Sequence, residues 1–224
     1  MFDSKVLQPR HAGIVEARAD DTVSHDGVDA IIAGHGRFGM TIGRVLNAQG
    51  KRTVMLDHDS SQVDGLRKFG FKVFYGDALR LDLLEQAGAR EAKLMVIAID
   101  DREKVTELVK LAQQHFPQMK LLVRAFDRSH AIEVIRAGVD DVYREVFGSS
   151  MDLARDALTV FGMSHEAASR AITRFRSHDE KFLRKQAKIA GDEKKMIDLA
   201  RESRAEIARV FAEDQRESAP SEQA

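Results

Sequence analysis

Short apolar runs alternate with amphipathic segments along the first two thirds of the chain. Each apolar run has the length of a buried strand, and a segment with helical periodicity follows it. Strands joined by helical crossovers predict an α/β fold with a doubly wound parallel sheet that is covered on both faces. The predicted strands are Val28–Ala33, Thr53–Leu56, Lys72–Tyr75, Leu94–Ile99 and Leu121–Ala125, and the predicted helices are Phe38–Ala48, Ser60–Phe69, Arg80–Ala87, Arg102–His115 and Ser129–Ala137.

The pattern changes to helix alone after Asp141. An apolar stripe at alternating spacings of 4 and 3 residues runs through Phe147, Met151, Ala154, Leu158 and Phe161. The longer helical stretch Glu166–Phe211 has only a thin apolar seam, so it must dock on the α/β domain or on a second copy. These changes predict a flexible linker over 1–26, an α/β domain over 27–145, a helical region over 146–213 and a disordered tail over 214–224.

A glycine motif follows the first predicted strand directly. Gly34-x-Gly36-x-x-Gly39 leads into a helix, and Asp57 ends the next strand 18 residues after the last glycine. The glycines allow a tight turn, a close approach of phosphate to the backbone, and close packing of helix on strand. The helix N-terminus favours phosphate, and Asp57 can accept hydrogen bonds from free ribose hydroxyls. The motif predicts a Rossmann-like site for an adenine nucleotide, with NAD(H), AMP or ATP ahead of NADP.

Polar groups from the other strands should meet at the same edge of the sheet, because ligands of such sheets lie outside the carboxyl ends of the strands. His58 and Asp59 are equally compatible with a polar loop, and Asp77 also suits a helix N-cap. Arg124 ends a buried strand and needs an anionic partner, either a ligand or one of the nearby acids. The residues predicted to contact the nucleotide, besides the three glycines and Asp57, are His35, Arg37, Phe38, His58, Asp59, Gly76, Asp77, Ala78, Ile99, Asp100 and Arg124.

Composition excludes several classes of function. The net charge of −1 gives no sign of nucleic-acid binding, and the absence of cysteine excludes disulfides and thiol chemistry. No run approaches the ~18 apolar residues of a membrane span, and no signal peptide is recognisable, which predicts a soluble cytoplasmic chain. The eight histidines have no metal-ligand spacing, which favours surface or loop positions and no metal site. Charged helices follow the sheet in place of a substrate domain, so we expect a regulator and not an enzyme.

Several short blocks of sequence are distinctive beyond the glycine motif. They include Gly34-His-Gly-Arg-Phe-Gly39, Leu56-Asp-His-Asp59, Lys72-Val-Phe-Tyr-Gly-Asp-Ala78 and Arg136-Ala-Gly-Val139. These blocks, within a similarity that runs from Val28 to Arg176, resemble the cytosolic regulatory region of the Kef glutathione-gated potassium efflux systems. The resemblance implies a regulator-of-potassium-conductance (RCK, KTN) domain that follows an antiporter membrane domain at the bacterial inner membrane. It also implies a homodimer, whose crossover helix corresponds to the Phe147–Phe161 stripe.

The family resemblance further implies that glutathione binds near the dimer interface and keeps efflux closed. Bulky glutathione S-conjugates open the system, and the resulting acidification protects against electrophiles. Two of the family's glutathione positions correspond to Arg44 and Arg144, whose guanidinium groups suit the two carboxylates of glutathione. The third family position is an asparagine, and His178 lies at or near it. Without the resemblance, both arginines would be interpreted as surface ion pairs.

The resemblance leaves partners and competing functions to be considered. Some relatives have a quinone-oxidoreductase-like ancillary subunit, which is a further candidate partner of this chain. One alternative function is a peripheral nucleotide-binding subunit of a potassium uptake system, of the TrkA type. A less favoured alternative is a soluble NAD-dependent oxidoreductase, for which the sequence offers no catalytic residues.

Overall fold

The computed structural model describes residues 27–58 and 72–218. Within them, six strands form one sheet in the order β3-β2-β1-β4-β5-β6, and every neighbouring pair is parallel. The strand order reverses between β1 and β4, which confirms the predicted doubly wound α/β fold. The strands are β1 (Ala30–Ala33), β2 (Thr53–Asp57), β3 (Lys72–Tyr75), β4 (Leu94–Ile97), β5 (Lys120–Ala125) and β6 (Asp141–Arg144).

Helices lie between the strands and follow the sheet. Numbered among the described residues, they are α1 (Arg37–Ala48), α2 (Leu81–Gln86), α3 (Arg102–His115), α4 (Arg128–Arg136), α5 (Phe147–Val160), α6 (His165–Ile189) and α7 (Glu193–Ser218). The predicted helix Ser60–Phe69 and the predicted contact residue Asp59 lie outside the described residues.

The structure contains a sixth strand that was not predicted, and the long helical stretch is divided into two helices. Strand β6 pairs with β5 at the sheet edge, and its residues are half-buried or exposed, so they form no apolar run. The predicted helical stretch Glu166–Phe211 consists of two helices, α6 and α7. They are separated at Gly191, whose φ of +106° lies in the left-handed region that favours glycine. Helix α7 reaches Ser218 and so extends into the segment predicted as a tail.

Alternate residues of the central strands pack on opposite faces of the sheet. One face carries Ile31, Leu56 and Met95 beneath helices α2, α3 and α4. The other face carries Ile32 and Met55, among others, beneath α1. Because both faces are covered, the two central strands β1 and β4 are fully buried at their carboxyl ends, and the loops that follow them are held in place.

The helical region docks on the α/β domain through α6. Docking on this domain was one of the two arrangements predicted from the thin apolar seam, the other being docking on a second copy. Leu183 of α6 packs with Ala125 at the end of β5 and with Ala131 of α4. Helix α5, in contrast, buries none of its residues within the described chain. Two of its apolar side chains are strongly exposed, Leu153 at 72% and Val160 at 84%, whereas Met151, Ala154 and Leu158 are half-buried.

Candidate nucleotide-binding site

The glycine bend joins β1 to α1 at the point where the strand order reverses. Gly34 has a φ of +95°, and a Cβ there would lie 2.6 Å from the carbonyl carbon of Ala98. A Cβ on Gly39 would lie 2.0 Å from the Gly34 oxygen, so helix and strand can pack this closely only with glycine. Gly36 differs, because a Cβ there would meet nothing within 4 Å. The space beside Gly36 is therefore open to a ligand.

The N-terminus of α1 opens onto this space. Gly36 is the N-cap, and no side chain of the described residues caps the helix. The first turn holds no acidic residue, so its backbone N–H groups and the positive end of the helix dipole are available to an anion. The site can hold a phosphate group.

Asp57, at the end of β2, is tied to the bend. The backbone N–H of His35 donates to Asp57 Oδ2 at 2.7 Å, and Asp57 Oδ1 lies 3.7 Å from His58 Nδ1. The backbone oxygen of Asp57 accepts from the N–H of Gly76 at 2.8 Å. Through its carboxylate and its backbone oxygen together, Asp57 thus links the turns that follow β1, β2 and β3.

A cleft of about 410 Å³ lies at this edge of the sheet. Its volume falls within the range of small-molecule sites, roughly 300–1,000 Å³. Arg37, Phe38, Gly39 and Arg124 were predicted contacts but do not line it. The predicted contacts that do line it are Gly34, His35, Gly36, Asp57, His58, Gly76, Asp77, Ala78, Ile99 and Asp100. The remaining lining residues, which were not predicted contacts, are Leu56, Ala98, Asp101 and Lys104.

An ion pair between Asp77 and Lys104 joins two walls of the cleft. Lys104 Nζ donates to Asp77 Oδ2 at 2.9 Å, and the Leu79 N–H donates to Asp77 Oδ1 at 3.0 Å. Burial raises the pKa of Asp77, but these two donors outweigh it and hold the pKa below its usual value. Asp77 is therefore a carboxylate acceptor beside the bend, and its partner Lys104 was not predicted.

The acids that follow β4 have structural roles as well as a place at the cleft. Asp101 is the N-cap of α3, and its Oδ1 accepts from the N–H groups of Glu103 and Lys104 at 2.9 and 3.1 Å. Asp101 therefore both begins α3 and lines the cleft. Asp100 lies at the rim, with its side chain 92% exposed.

Arg124 is buried behind the cleft and meets the chain's own acceptors. Its side chain is 5% exposed, and Nη2 donates to the Ile99 oxygen at 3.0 Å and to Asp100 Oδ1 at 2.5 Å. Its Nη1 donates to Glu145 Oε2 at 3.4 Å. A ligand and a nearby acid were the two kinds of partner expected for Arg124, and in the structure its partners are the acids Asp100 and Glu145.

The sequence analysis did not predict the burial of His130 or the packing role of Gly43. His130 was expected at the surface, but it is 1% exposed, and its Nδ1 accepts from the Phe126 N–H at 3.1 Å. Gly43 is a further packing glycine, since a Cβ there would lie 2.0 Å from Met55 Cε. Its place one helical turn beyond Gly39 was the available signal.

The three residues predicted for glutathione lie in two places. Arg44 is exposed on α1, whereas Arg144 ends β6 on the other side of the reversal point. Arg144 is 12% exposed, donates to Asp179 and lies 3.7 Å from the centroid of the Phe147 ring. His178 is 11% exposed, and its Nε2 lies 3.6 Å from Glu206 Oε2. The partner of Arg144 on α6 is thus Asp179, the neighbour of His178.

No group of three or more histidine and acidic side chains in residues 27–58 and 72–218 is arranged to hold a metal ion. No helix in the same ranges is both long and apolar enough to cross a membrane.

The parallel sheet, the reversal point and the glycine bend define a Rossmann-type nucleotide-binding domain. Residues 30–145 match the family model of the TrkA-N domain, and residues 149–224 match that of the potassium efflux system KefB C-terminal domain. The chain therefore belongs to the family of Kef C-terminal regulatory regions, which confirms the resemblance seen in the sequence.

Two solved structures are similar to this chain. The Shewanella denitrificans Kef CTD in its AMP-bound form is 48% identical, and the match covers 73% of this chain and 99% of that one with a TM-score of 0.67. The TrkA-N domain of the inner membrane protein ybaL from Escherichia coli is 23% identical over 61% of this chain and 98% of that one, with a TM-score of 0.53. The second likeness shows the fold alone.

Proposed function

We propose that this chain is the ligand-gated regulatory domain of a potassium efflux system of the K⁺/H⁺ antiport type. A nucleotide would stabilise the domain, while glutathione at a dimer interface would hold efflux closed and glutathione S-conjugates would open it. The observation that carries the proposal is the open space at Gly36, in a chain 48% identical to a Kef domain with AMP bound. The physiological role would be protection against electrophiles.

The residues of the cleft fit an adenine nucleotide. The N–H groups at the start of α1 would hold a phosphate beside Gly36, and Asp57 would accept hydrogen bonds from the ribose hydroxyls. AMP and NAD(H) both satisfy these contacts. When bound, the nucleotide would act as a structural ligand, and its binding to the folded state alone would raise stability. We propose no catalytic reaction, because the residues that follow the sheet match a regulatory domain.

Glutathione would be held by charge-assisted hydrogen bonds from arginine. Arg144 is positioned for this by the Phe147 ring, and Arg44 is exposed on α1, where a partner subunit could bring it close to an interface ligand. His178 precedes Asp179, the α6 partner of Arg144, so it would act beside Arg144 rather than beside Arg44. The bulk on the sulfur of a conjugate would then decide which dimer arrangement is favoured.

The proposed partners follow from the same assignment. A second copy would cover the exposed apolar side of α5, which carries Leu153 and Val160 and ends beside Phe161, exposed to 88%. An antiporter membrane domain of the same polypeptide would place the dimer at the cytoplasmic face of a bacterial inner membrane. A quinone-oxidoreductase-like subunit is a further proposed partner.

Calorimetric titration tests this function. Glutathione and S-hexylglutathione should bind wild type, while Arg44→Ala and Arg144→Ala should each lose affinity by about tenfold or more, as expected for a lost charge-assisted contact. Arg90→Ala is the matched control, because Arg90 is an exposed arginine paired with Glu85 after α2. Undiminished binding in both site variants would refute the proposed anchors.

A TrkA-like subunit of potassium uptake is the second candidate, favoured by the TrkA-N match over residues 30–145. Such a subunit would bind nucleotide and not glutathione. The same titration therefore separates the two functions, because AMP binding without any glutathione binding would favour the second.

A further inference from the structure

The carboxylate of Asp179 lies between two guanidinium groups where the sheet meets α6. Its Oδ1 accepts from Arg128 Nη1 at 2.6 Å, and its Oδ2 accepts from Arg144 Nη2. Asp179 and Arg144 are only 15% and 12% exposed, and Arg128 is 32% exposed. One carboxylate against two guanidinium groups leaves this arginine–aspartate cluster (Arg128, Asp179 and Arg144) one positive charge in excess, at a place with little access to water.

Both guanidinium groups are held in position by contacts other than Asp179. The Arg144 Cζ lies 3.7 Å from the Phe147 ring centroid, and the Arg128 Cζ lies 5.5 Å from that of Phe182. Arg128 also donates through Nε to Gln186 Oε1 at 2.7 Å. The arginines would therefore keep their places if the carboxylate between them moved or were exchanged.

We propose that Arg144 forms a subsite for a ligand carboxylate, that Asp179 is an internal carboxylate that competes with the ligand for Arg144, and that Arg128 is the partner that Asp179 keeps when the ligand binds. This inference rests on the proposed function, in which the ligand is glutathione or its conjugate. The ligand's carboxylate takes the place of Asp179 on Arg144, and Asp179 stays paired with Arg128. The exchange keeps the charge-assisted bonds of Arg144 and neutralises the excess positive charge.

The competition links ligand binding to the docking of α6. The Asp179–Arg144 pair joins α6 to β6, so a ligand that replaces it removes one contact between the helical region and the sheet. A ligand shifts a two-state equilibrium only through such a difference between the states. Arg128 was absent from the sequence-based site, because nothing local to residue 128 indicates its contact with a helix 51 residues away.

The deciding experiment compares two variants that each remove one negative charge from α6. Asp179→Asn keeps the size of the side chain, and Glu166→Gln acts at an exposed residue of the same helix. In calorimetric titrations of the whole chain, Asp179→Asn should bind glutathione about tenfold more tightly than wild type, and Glu166→Gln should not differ. Equal or weaker binding by Asp179→Asn would overturn the competition.

A second variant tests the opposite direction should Asp179→Asn fold poorly. Arg128→Gln removes the alternative partner of Asp179 and the excess charge, so glutathione should bind about tenfold more weakly. Unchanged affinity in Arg128→Gln would equally overturn the subsite.

Glutarate, a dicarboxylate without a peptide or thiol, distinguishes a failure of the carboxylate subsite from a failure of the proposed function. If glutathione binds neither wild type nor Asp179→Asn, the proposed function fails; tighter glutarate binding by Asp179→Asn would still support the subsite, and equal glutarate binding would refute it. If glutathione binds wild type and Asp179→Asn no more tightly, the function stands and the competition fails.

Discussion

The backbone N–H of His35 donates to Asp57 Oδ2 at 2.7 Å, so the acid of β2 holds the glycine bend that follows β1. Asp57 therefore has two tasks in the proposed complex, because it shapes the phosphate site and contacts the ribose. A residue with two such tasks should affect affinity more than either contact alone would.

Replacing Asp57 with alanine should weaken AMP binding by about a hundredfold or more, because one hydrogen bond to a charged group alone accounts for about ten- to a hundredfold. Calorimetric titration of the purified domain with AMP measures the loss. Asp29→Ala is the matched control, because Asp29 pairs with Arg52 at the opposite end of β1 and β2. AMP affinity equal to that of wild type in Asp57→Ala would contradict the placement of the ribose.

Alanine should destabilise the protein much more at Gly39 than at Gly36, although both glycines belong to the bend. Gly39→Ala places a Cβ 2.0 Å from the Gly34 oxygen, and overpacking of this kind lowers the free energy of unfolding by about 1–3 kcal/mol. Gly36→Ala meets nothing within 4 Å and has an ordinary φ of −56°, so the nucleotide-free protein should lose less than about 1 kcal/mol.

The same Gly36→Ala methyl would fill the phosphate space, and AMP affinity should fall at least about tenfold. Urea unfolding without nucleotide, followed by AMP titration, separates the two effects. Normal AMP binding by Gly36→Ala would show that the phosphate lies elsewhere.

The order of strands and helices was predictable because buried parallel strands are continuous apolar runs with helical periods between them. The acid and glycines of the bend were predictable because they lie at fixed spacings along the chain. Strand β6 was not, since an edge strand needs no apolar run, and Tyr143 within it is 52% exposed. The boundary between α6 and α7 was not predicted, because a single glycine in a helical pattern is also compatible with an unbroken helix.

Pairings between residues distant along the chain could not be predicted from the sequence. Lys104 and Asp77 are 27 positions apart, and no local pattern indicates that they meet across the cleft. For Arg124, the sequence indicated that an anion was needed but could not choose between a ligand and an internal acid. The burial of His130 had a signal, since Val134 lies one turn further along the same face of α4, but a lone histidine is usually exposed.

The Lys104–Asp77 pair should matter for the nucleotide more than for the fold. Both side chains are partly exposed, at 39% and 41%, so the pair contributes little to stability. We expect Lys104→Met and Asp77→Asn each to lower AMP affinity several-fold, and the double variant to lose no more than the larger single effect. Fully additive losses in a double-mutant cycle would mean that the two residues act independently.

The buried imidazole of His130 should make stability depend on pH. Burial lowers its pKa, as does the positive charge of Arg102, and these effects outweigh the opposing influence of Glu133 and Asp127; Arg124 adds to the lowering. The folded protein therefore favours the neutral ring, and stability falls as the pH drops below the ordinary value of 6.5.

His130→Asn tests that dependence. Its amide oxygen can still accept from the Phe126 N–H, but it cannot be protonated in this range. Urea unfolding at a series of pH values should show a shallower loss of stability below about pH 6.5 than in wild type. His115→Asn, at the exposed end of α3, controls for the loss of one imidazole, and identical slopes for wild type and His130→Asn would refute the prediction.

The exposed apolar side of α5 should decide the oligomeric state. Leu153 is 72% exposed although it is apolar, which is costly for a helix that no other described element covers on that side. If a second copy covers it, Leu153→Glu would bury a charge in an apolar interface, and the protein should sediment as a monomer at concentrations where wild type is a dimer. Ile197→Glu introduces the same charge at an exposed apolar residue of α7 and should leave the dimer intact.

A glutathione site formed between subunits would be lost together with the dimer, whereas AMP affinity should persist in the Leu153→Glu monomer, because the cleft is lined within one chain.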